Sequence, residues 1–151
     1  MPHPNFHLAQ VNIARLLAPL ESPQLEGFVA RLEEINTLAE QSPGFVWRMV
    51  DESGSDNTYL RPFDDMTLVN LSVWEDVDSL FGYIYQSTHK ELFAQRKGWF
   101  ERLEQAHMAL WWVPAGHRPS VEEAQARLSH RQQHGDTPHA FSFKQRFSAP
   151  A

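Results

Sequence analysis

The sequence predicts an α+β fold in which a four-stranded antiparallel sheet is covered by two helices. Four segments alternate apolar and polar residues, the period of half-buried strands, and two longer segments repeat apolar residues every three or four positions, the period of helices. Their order along the chain is βαββαβ, the split βαβ arrangement called ferredoxin-like. The length of 151 residues suits one domain.

The first strand and the first helix occupy the N-terminal third of the chain. The stretch HLAQVNI alternates, so that His7 and Asn12 point to opposite faces of the strand. Ser22 before Pro23 is typical of a helix start, because serine caps free backbone N–H groups and proline fits the first helical position. The amphipathic pattern that follows predicts a helix to about Glu40.

Three further strands are expected over residues 45–49, 66–74 and 107–113. The middle one alternates most clearly, and the last one is rich in aromatic residues, which favour strands. A second helix lies between these two strands. Its apolar face predicts a start after Glu75 and a break near Gln86.

The C-terminal part adds a helix and a short strand to this pattern. Ser120 and Glu123 match a capping box, which predicts a helix to about Gln133. Phe141 and Phe143 can then form a short edge strand.

One domain over residues 1–151 accounts for the chain, with a core over 6–114 and an appendage over 115–151. Two helices on one face of a sheet leave the other face bare, and that apolar face needs a partner. The simplest partner is a second copy of the chain, so the sequence predicts a homodimer.

Composition excludes several classes of function. The net charge is −6 and the 13 basic residues are scattered, so no nucleic-acid partner is expected. The absence of cysteine excludes disulfides, thiolate metal sites and a cysteine nucleophile. Neither a signal peptide nor an apolar run of about 18 residues is visible, so we expect a cytoplasmic protein without a membrane span.

Signature motifs of hydrolases, nucleotide-binding loops and zinc proteases are also absent, and the eight histidines show no metal-ligand spacing. We therefore expect no metal site.

A polar patch on the third strand is the first candidate for chemistry. Asn70, Ser72 and Trp74 share one face of that strand, where core residues are expected. A buried carboxamide needs a hydrogen-bond partner, so Asn70 binds either a neighbour or a ligand. In the alternative interpretation, Asn70 is satisfied internally and Trp74 is core.

Two basic residues, His89 and Arg96, fall on the apolar side of the second helix. A neutral imidazole can act as a general base, and an arginine can hold an anionic substrate. Alternatively, His89 caps a helix start and Arg96 pairs with a carboxylate.

Flat aromatic side chains could line a pocket for a planar ligand, and Tyr85, Trp47 and Trp111 are the candidates. The alternative is that they belong to the core or to the dimer interface. Because His7 and Asn12 point to opposite faces, only one of them can share a pocket with Asn70.

Three runs carry a resemblance that spans nearly the whole chain: HLAQVNIARLLAPL, SVWEDVDSLFGYIYQSTHKELFAQRKGWFERL and LWWVPAGHRPSVEEAQARLSHRQQHGDTPHAFSF. Together they resemble DUF3291, a bacterial family of domains of unknown function. That family is similar in turn to the dimeric α+β barrel superfamily, which includes antibiotic-biosynthesis monooxygenases and haem-degrading monooxygenases.

The resemblance implies two different sites. In cofactor-free monooxygenases of the superfamily, an asparagine, a tryptophan and a helical arginine bind and deprotonate a phenolic substrate, and Asn70, Trp74 and Arg96 look like these residues. In haem-degrading members, Asn12, Trp74 and a helical histidine would be the counterparts. His89 lies about one helical turn after the position of that iron ligand, which Ile84 occupies, and His107 is a second candidate.

The leading hypothesis is a small-molecule-binding, monooxygenase-like enzyme without a cofactor that acts on a planar aromatic substrate. Asn70 would orient the substrate oxygen, Trp74 and Tyr85 would stack on the ring, Arg96 would stabilise negative charge and His89 would be the base. The alternatives are a haem-binding protein or enzyme and a non-catalytic ligand-binding or structural dimer.

Overall fold

The structure, a computed structural model, describes residues 5–19, 21–49, 67–85, 99–100 and 107–150. Its centre is an antiparallel sheet of four strands, which are β1 (Phe6–Arg15), β2 (Phe45–Arg48), β3 (Thr67–Trp74) and β4 (Met108–Pro114). The strand order is β2-β3-β1-β4, the order of the ferredoxin-like topology. The predicted α+β fold class is confirmed.

The first predicted helix is divided into shorter pieces. A 3₁₀ turn (Pro23–Leu25) leads into α1 (Glu26–Val29), and α2 (Leu32–Gln41) follows. The backbone tightens between α1 and α2, where the Arg31 N–H donates to the carbonyl of Phe28, only three residues back. The predicted serine cap also fails, because the Ser22 hydroxyl makes no capping hydrogen bond.

The helix α3 (Val77–Ile84) follows β3 directly. Asp76 caps it as a typical N-cap residue, since its Oδ1 accepts the backbone N–H of Ser79 at 2.8 Å. The turn before β2 packs against this cap, and a Cβ atom on Gly44, whose φ is 83°, would overlap the Ser79 side chain. Glycine is therefore required at this position. The part of the second helix that is predicted to carry His89 and Arg96 lies outside the described residues.

The two faces of the sheet are covered by different helices. We call the side that carries Leu8, Gln10 and Trp74 the α2/α3 face, because Leu8 and Trp74 pack there with residues of α2 and α3. The opposite side carries Val11 and Trp111 and packs against α4 (Val121–His134), so we call it the α4 face.

This second cover corrects the expectation that one sheet face is bare. Ala124 and Leu128 of α4 are 0% and 3% exposed and belong to the same apolar cluster as Val11 and Val69. The chain thus covers both faces of its own sheet. The appended helix covers the face for which the sequence predicts a second copy of the chain. A second copy of the chain is therefore not needed to cover this sheet face.

The start and end of α4 agree with the sequence-based expectation. The Ser120 hydroxyl accepts the Glu123 N–H at 3.1 Å, and Gly135 ends the helix with φ of 77°. The short edge strand is reduced to a single bridge, in which Phe141 pairs with Leu110. Phe143 packs instead against the Phe81 ring.

Within the described ranges, no helix is long and apolar enough to cross a membrane.

Candidate functional site

A row of polar side chains crosses the α2/α3 face at its centre. The strand register places Arg48 beside Ser72 and Ser72 beside Gln10, and the next rung pairs Asn70 with Asn12. Paired residues of antiparallel strands point to the same face, so these five side chains form one surface, which we call the polar row.

The polar row separates two apolar clusters on the same face. One cluster contains Leu8, Trp74 and Leu110 and packs against α3. The other contains Leu16, Leu68 and Trp99. A ligand that lies on the polar row is therefore flanked by apolar side chains on both sides, an arrangement common in small-molecule sites.

Solvent reaches the polar row chiefly at the rung of the two asparagines. Asn12 and Asn70 are exposed, although they lie on the two central strands of the sheet, whereas Gln10 and Ser72 are 6% and 5% exposed. The sheet is therefore open to solvent at the asparagine pair, whereas Gln10 and Ser72 are covered and Arg48, at the edge-strand end of their rung, is partly exposed. The opening presents two carboxamides to solvent.

A hydrogen-bond network holds one of these carboxamides in place. Gln10 Nε2 donates to Asn70 Oδ1 at 2.6 Å and to Ser72 Oγ at 2.7 Å. Trp74 Nε1 donates to the same Ser72 oxygen at 2.9 Å. Because the Asn70 oxygen is occupied, its NH₂ group is the part of the side chain left to donate to a ligand.

Trp74 does not have the predicted role of a stacking platform. It is 1% exposed, and its ring lies between Tyr83, stacked at 5.2 Å, and Phe45, which meets it edge-on at 5.4 Å. Because the ring is almost fully buried and packs against both neighbours, it offers no open face to a ligand. The structural contribution of Trp74 is to orient Ser72 through its indole N–H.

Tyr83, rather than Tyr85, completes the aromatic group around Trp74. Tyr85 is 52% exposed and contacts Phe81 instead, with ring centroids 4.3 Å apart. Burial raises the pKa of Tyr83 to about 12, although the nearby charge of Arg48 opposes this rise. Tyr83 is therefore a neutral phenol at physiological pH and cannot serve as a base.

The structure does not bring Trp47 and Trp111 to the polar row. Both lie on the α4 face, in the cluster that contains Val11 and Leu128. Trp111 is fully buried, and its Nε1 donates to Glu123 Oε2 of α4 at 2.8 Å. A pocket that contains both Trp111 and Asn70 is excluded, because the sheet lies between them.

The predicted base and the predicted helical arginine, His89 and Arg96, lie outside the described residues. His107 precedes β4, and its backbone carbonyl accepts the N–H of Ile13 at 2.8 Å. In the part of the chain that the structure describes, no three histidine, aspartate or glutamate side chains are grouped to hold a metal ion.

Sequence reasoning missed Gln10 and Arg48. The signal for Gln10 was its place two residues before Asn12, on the same side of an alternating strand. Arg48 gave a misleading signal, since simple alternation places it opposite Phe45. A bulge between Phe45 and Trp47 shifts the register of β2 and brings Arg48 to the α2/α3 face.

Several solved structures match this fold, and two of them come from Methanosarcina mazei Go1 and Pseudomonas aeruginosa. A conserved protein from Methanosarcina mazei Go1 aligns with a TM-score of 0.50 at 15% identity, covering 72% of this chain and 91% of that one. PA3566 from Pseudomonas aeruginosa aligns with a TM-score of 0.51 at 10% identity, covering 76% and 99%. At such identities the likeness concerns the fold alone.

A structure of SnoaB, a cofactor-independent oxygenase from Streptomyces nogalater, aligns with a TM-score of 0.44 at 16% identity, covering 76% of this chain and 96% of that one. No curated protein matches the chain significantly.

One family model matches almost the entire chain. It is described as "Domain of unknown function (DUF3291)" and covers residues 7–151, from the first strand through α4 to the C-terminus. The chain therefore belongs to the DUF3291 family and folds as a ferredoxin-like α+β domain.

Proposed function

We propose that the chain is a small-molecule-binding enzyme, monooxygenase-like and independent of a cofactor, whose substrate is a planar aromatic compound bound on the polar row. The observation that carries the proposal is the pair of exposed carboxamides, Asn12 and Asn70, on adjacent central strands above a buried hydrogen-bond network.

The geometry suits an aromatic ring that carries an oxygen atom. The Asn70 NH₂ group can donate to that oxygen, and donation becomes stronger as a phenol loses its proton, because the oxygen then carries negative charge. The apolar clusters on both sides of the polar row would border the edges of the ring.

The reaction class follows from this ionised state. A phenolate can give electrons directly to O₂. In the overall change the phenol and O₂ form a quinone and water, so that one oxygen atom enters the ring and the other leaves as water. The substrate supplies all the electrons. His89 as the base and Arg96 as the charge-stabilising residue remain predictions from the sequence.

The haem alternative gains no support from the described residues. It depends on His89 or His107 and on Trp74, whose ring is enclosed by Tyr83 and Phe45. A cytoplasmic location and a homodimer also remain predictions. The homodimer now depends on the resemblance alone, because α4 covers the sheet face that was expected to pair.

Oxygen uptake with a panel of phenols tests the proposal. We expect uptake with a two-ring or three-ring phenol, and we expect Asn70→Leu to lower the rate by roughly 100-fold or more, the usual cost of losing an oxyanion donor. Gln133→Leu, a change at an exposed carboxamide on α4, is the matched control and should leave the rate unchanged.

Binding without oxygen uptake would favour the non-catalytic ligand-binding protein. The absence of both binding and oxygen uptake would overturn the proposal. An absorption spectrum of the purified protein is recorded first, because a Soret band would favour haem instead.

A further inference from the structure

We infer that Arg48 makes the site selective for planar ligands that carry an anionic group, such as a carboxylate, at one end. The inference deepens the proposed function and rests on it, since it assigns the charge of the ligand that lies on the polar row. Arg48 ends β2, the edge strand, and its partner across the ladder is Ser72.

The guanidinium of Arg48 is largely buried and poorly satisfied. Its side chain is 18% exposed, and Nε and Nη1 are buried without a hydrogen-bond partner among the described residues. Within the described ranges, one carboxylate approaches it, that of Glu40 on α2, but Glu40 Oε1 is 3.8 Å from Arg48 Nε and its side chain is 51% exposed. At that distance the two groups form an ion pair but no hydrogen bond.

A buried guanidinium with two unsatisfied nitrogen atoms destabilises a fold, so its presence needs an explanation. The neighbouring Tyr83 supplies no negative charge, because it is a neutral phenol at physiological pH. An anionic ligand would supply the missing partner. Guanidinium is the group best suited to this task, because its planar set of N–H donors matches a carboxylate in two parallel hydrogen bonds.

The position of Arg48 also indicates the size of the ligand. The backbones of Arg48 and Gln10 are two strand spacings apart, roughly 10 Å, and Asn12 follows two residues further along β1. A two-ring aromatic acid with a hydroxyl at its far end can therefore reach Arg48 with its carboxylate and the asparagine pair with its hydroxyl. The polar row thus offers a cation at one end and amide donors at the other.

A matched pair of ligands tests the inference. The probes are 6-hydroxy-2-naphthoate and 6-hydroxy-2-naphthamide, which share their rings and their hydroxyl and differ only in charge at one end. Isothermal titration of the full chain should give at least roughly tenfold tighter binding of the acid, the usual effect of a charge-assisted hydrogen bond.

Two arginine variants test whether Arg48 causes the preference for the acid. Arg48→Gln should weaken binding of the acid to the level of the amide and leave the amide unchanged. Arg118→Gln removes the same charge from an exposed arginine beside Trp47 on the α4 face and should change neither affinity.

A stability measurement separates this role from a structural one. Arg48→Met keeps the length of the side chain and removes the buried charge, so the variant should unfold at the same temperature as the parent or a higher one. It should still lose the preference for the acid. If Arg48→Met unfolds at a clearly lower temperature and keeps that preference, Arg48 is structural and the inference is overturned.

The outcomes also separate this inference from the proposed function. Equal binding of the two probes, unaffected by Arg48→Gln, would overturn the role of Arg48 and leave the site intact. Binding of neither probe would overturn the proposed function and this inference with it.

Discussion

Gln10 connects most of the candidate site, although its only signal in the sequence is that it shares a strand face with Asn12. Its Nε2 donates to the side chains of both Asn70 and Ser72, and these two residues lie on the neighbouring strand. The alternation of β3 predicts that Asn70, Ser72 and Trp74 share a face, and the register agrees. Their hydrogen bonds to Gln10 depend on the register between β1 and β3. The periodicity within one strand cannot reveal the register between two strands.

Substitution of Gln10 by methionine should destabilise the protein. Methionine has nearly the same length but donates no hydrogen bond, so Asn70 Oδ1 and Ser72 Oγ each lose a donor. We expect the free energy of unfolding to fall by about 1–3 kcal/mol in urea denaturation, the net contribution of two hydrogen bonds.

Gln125→Met, at an exposed position of α4, is the control and should change that free energy by less than about 0.5 kcal/mol. Equal effects of the two substitutions would mean that the buried network contributes nothing.

At the scale of elements, one carboxylate of the appended helix α4 contacts both the sheet and the connecting turn. Glu123 accepts hydrogen bonds from Trp111 on β4 and from His117 in the connecting turn. The capping box predicted from Ser120 and Glu123 is therefore only half made. The serine caps the helix, but the glutamate side chain turns to the sheet instead of to the backbone of Ser120.

Glu123 gives the docking of α4 a defined dependence on pH. Burial raises the pKa of Glu123, but hydrogen bonds from His117 and Trp111 and the charges of His117 and Arg127 more than offset this, so the pKa lies below the usual 4.5. A carboxyl with a lowered pKa in the folded state stabilises the fold above about pH 4.5. This contribution is lost as the pH falls through the lowered value.

Urea denaturation at several pH values below 5 checks this prediction. Glu123→Gln should remove part of the loss of stability in acid, whereas Glu122→Gln, at the exposed neighbouring position, should not. The prediction fails if the two variants show the same acid profile.

Elements also show where periodicity misleads. The bulge in β2 reverses the side on which Arg48 lies, and a bulge is a property of strand pairing that the short segment FVWR does not display. The division of the first helix has a similar cause. The helical repeat of apolar positions in the sequence spans Ala30 and Arg31 without a break, although the backbone between α1 and α2 tightens there.

At the scale of the whole molecule, the order of elements was predictable and the covering of the sheet was not. Four alternating segments and their spacing are enough for the strand order β2-β3-β1-β4. The position of α4 on the sheet could not be predicted from the sequence, because α4 carries few apolar residues and its pattern is typical of a mostly polar surface helix. Only Ala124 and Leu128 are buried in it, and both touch the sheet cluster.

Leu128 tests whether α4 belongs to the core of the single chain. Leu128→Ala should lower the free energy of unfolding by about 2–5 kcal/mol, the range for a buried leucine. Leu17, which is 43% exposed, gives the matched control, and Leu17→Ala should cost far less. A small effect of Leu128→Ala would mean that α4 does not cover the sheet in solution.

The most direct test of the proposed site is a titration of the protein with 2-naphthol, followed by the ¹⁵N–¹H resonances of side-chain amides and indoles. We predict saturable shifts of the Asn12 and Asn70 NH₂ signals, because these groups are exposed on the polar row. The indole signal of Trp111, buried on the α4 face, should stay in place as an internal control. If the two asparagine signals do not move, or if shifts are confined to the α4 face, the polar row is not the ligand site.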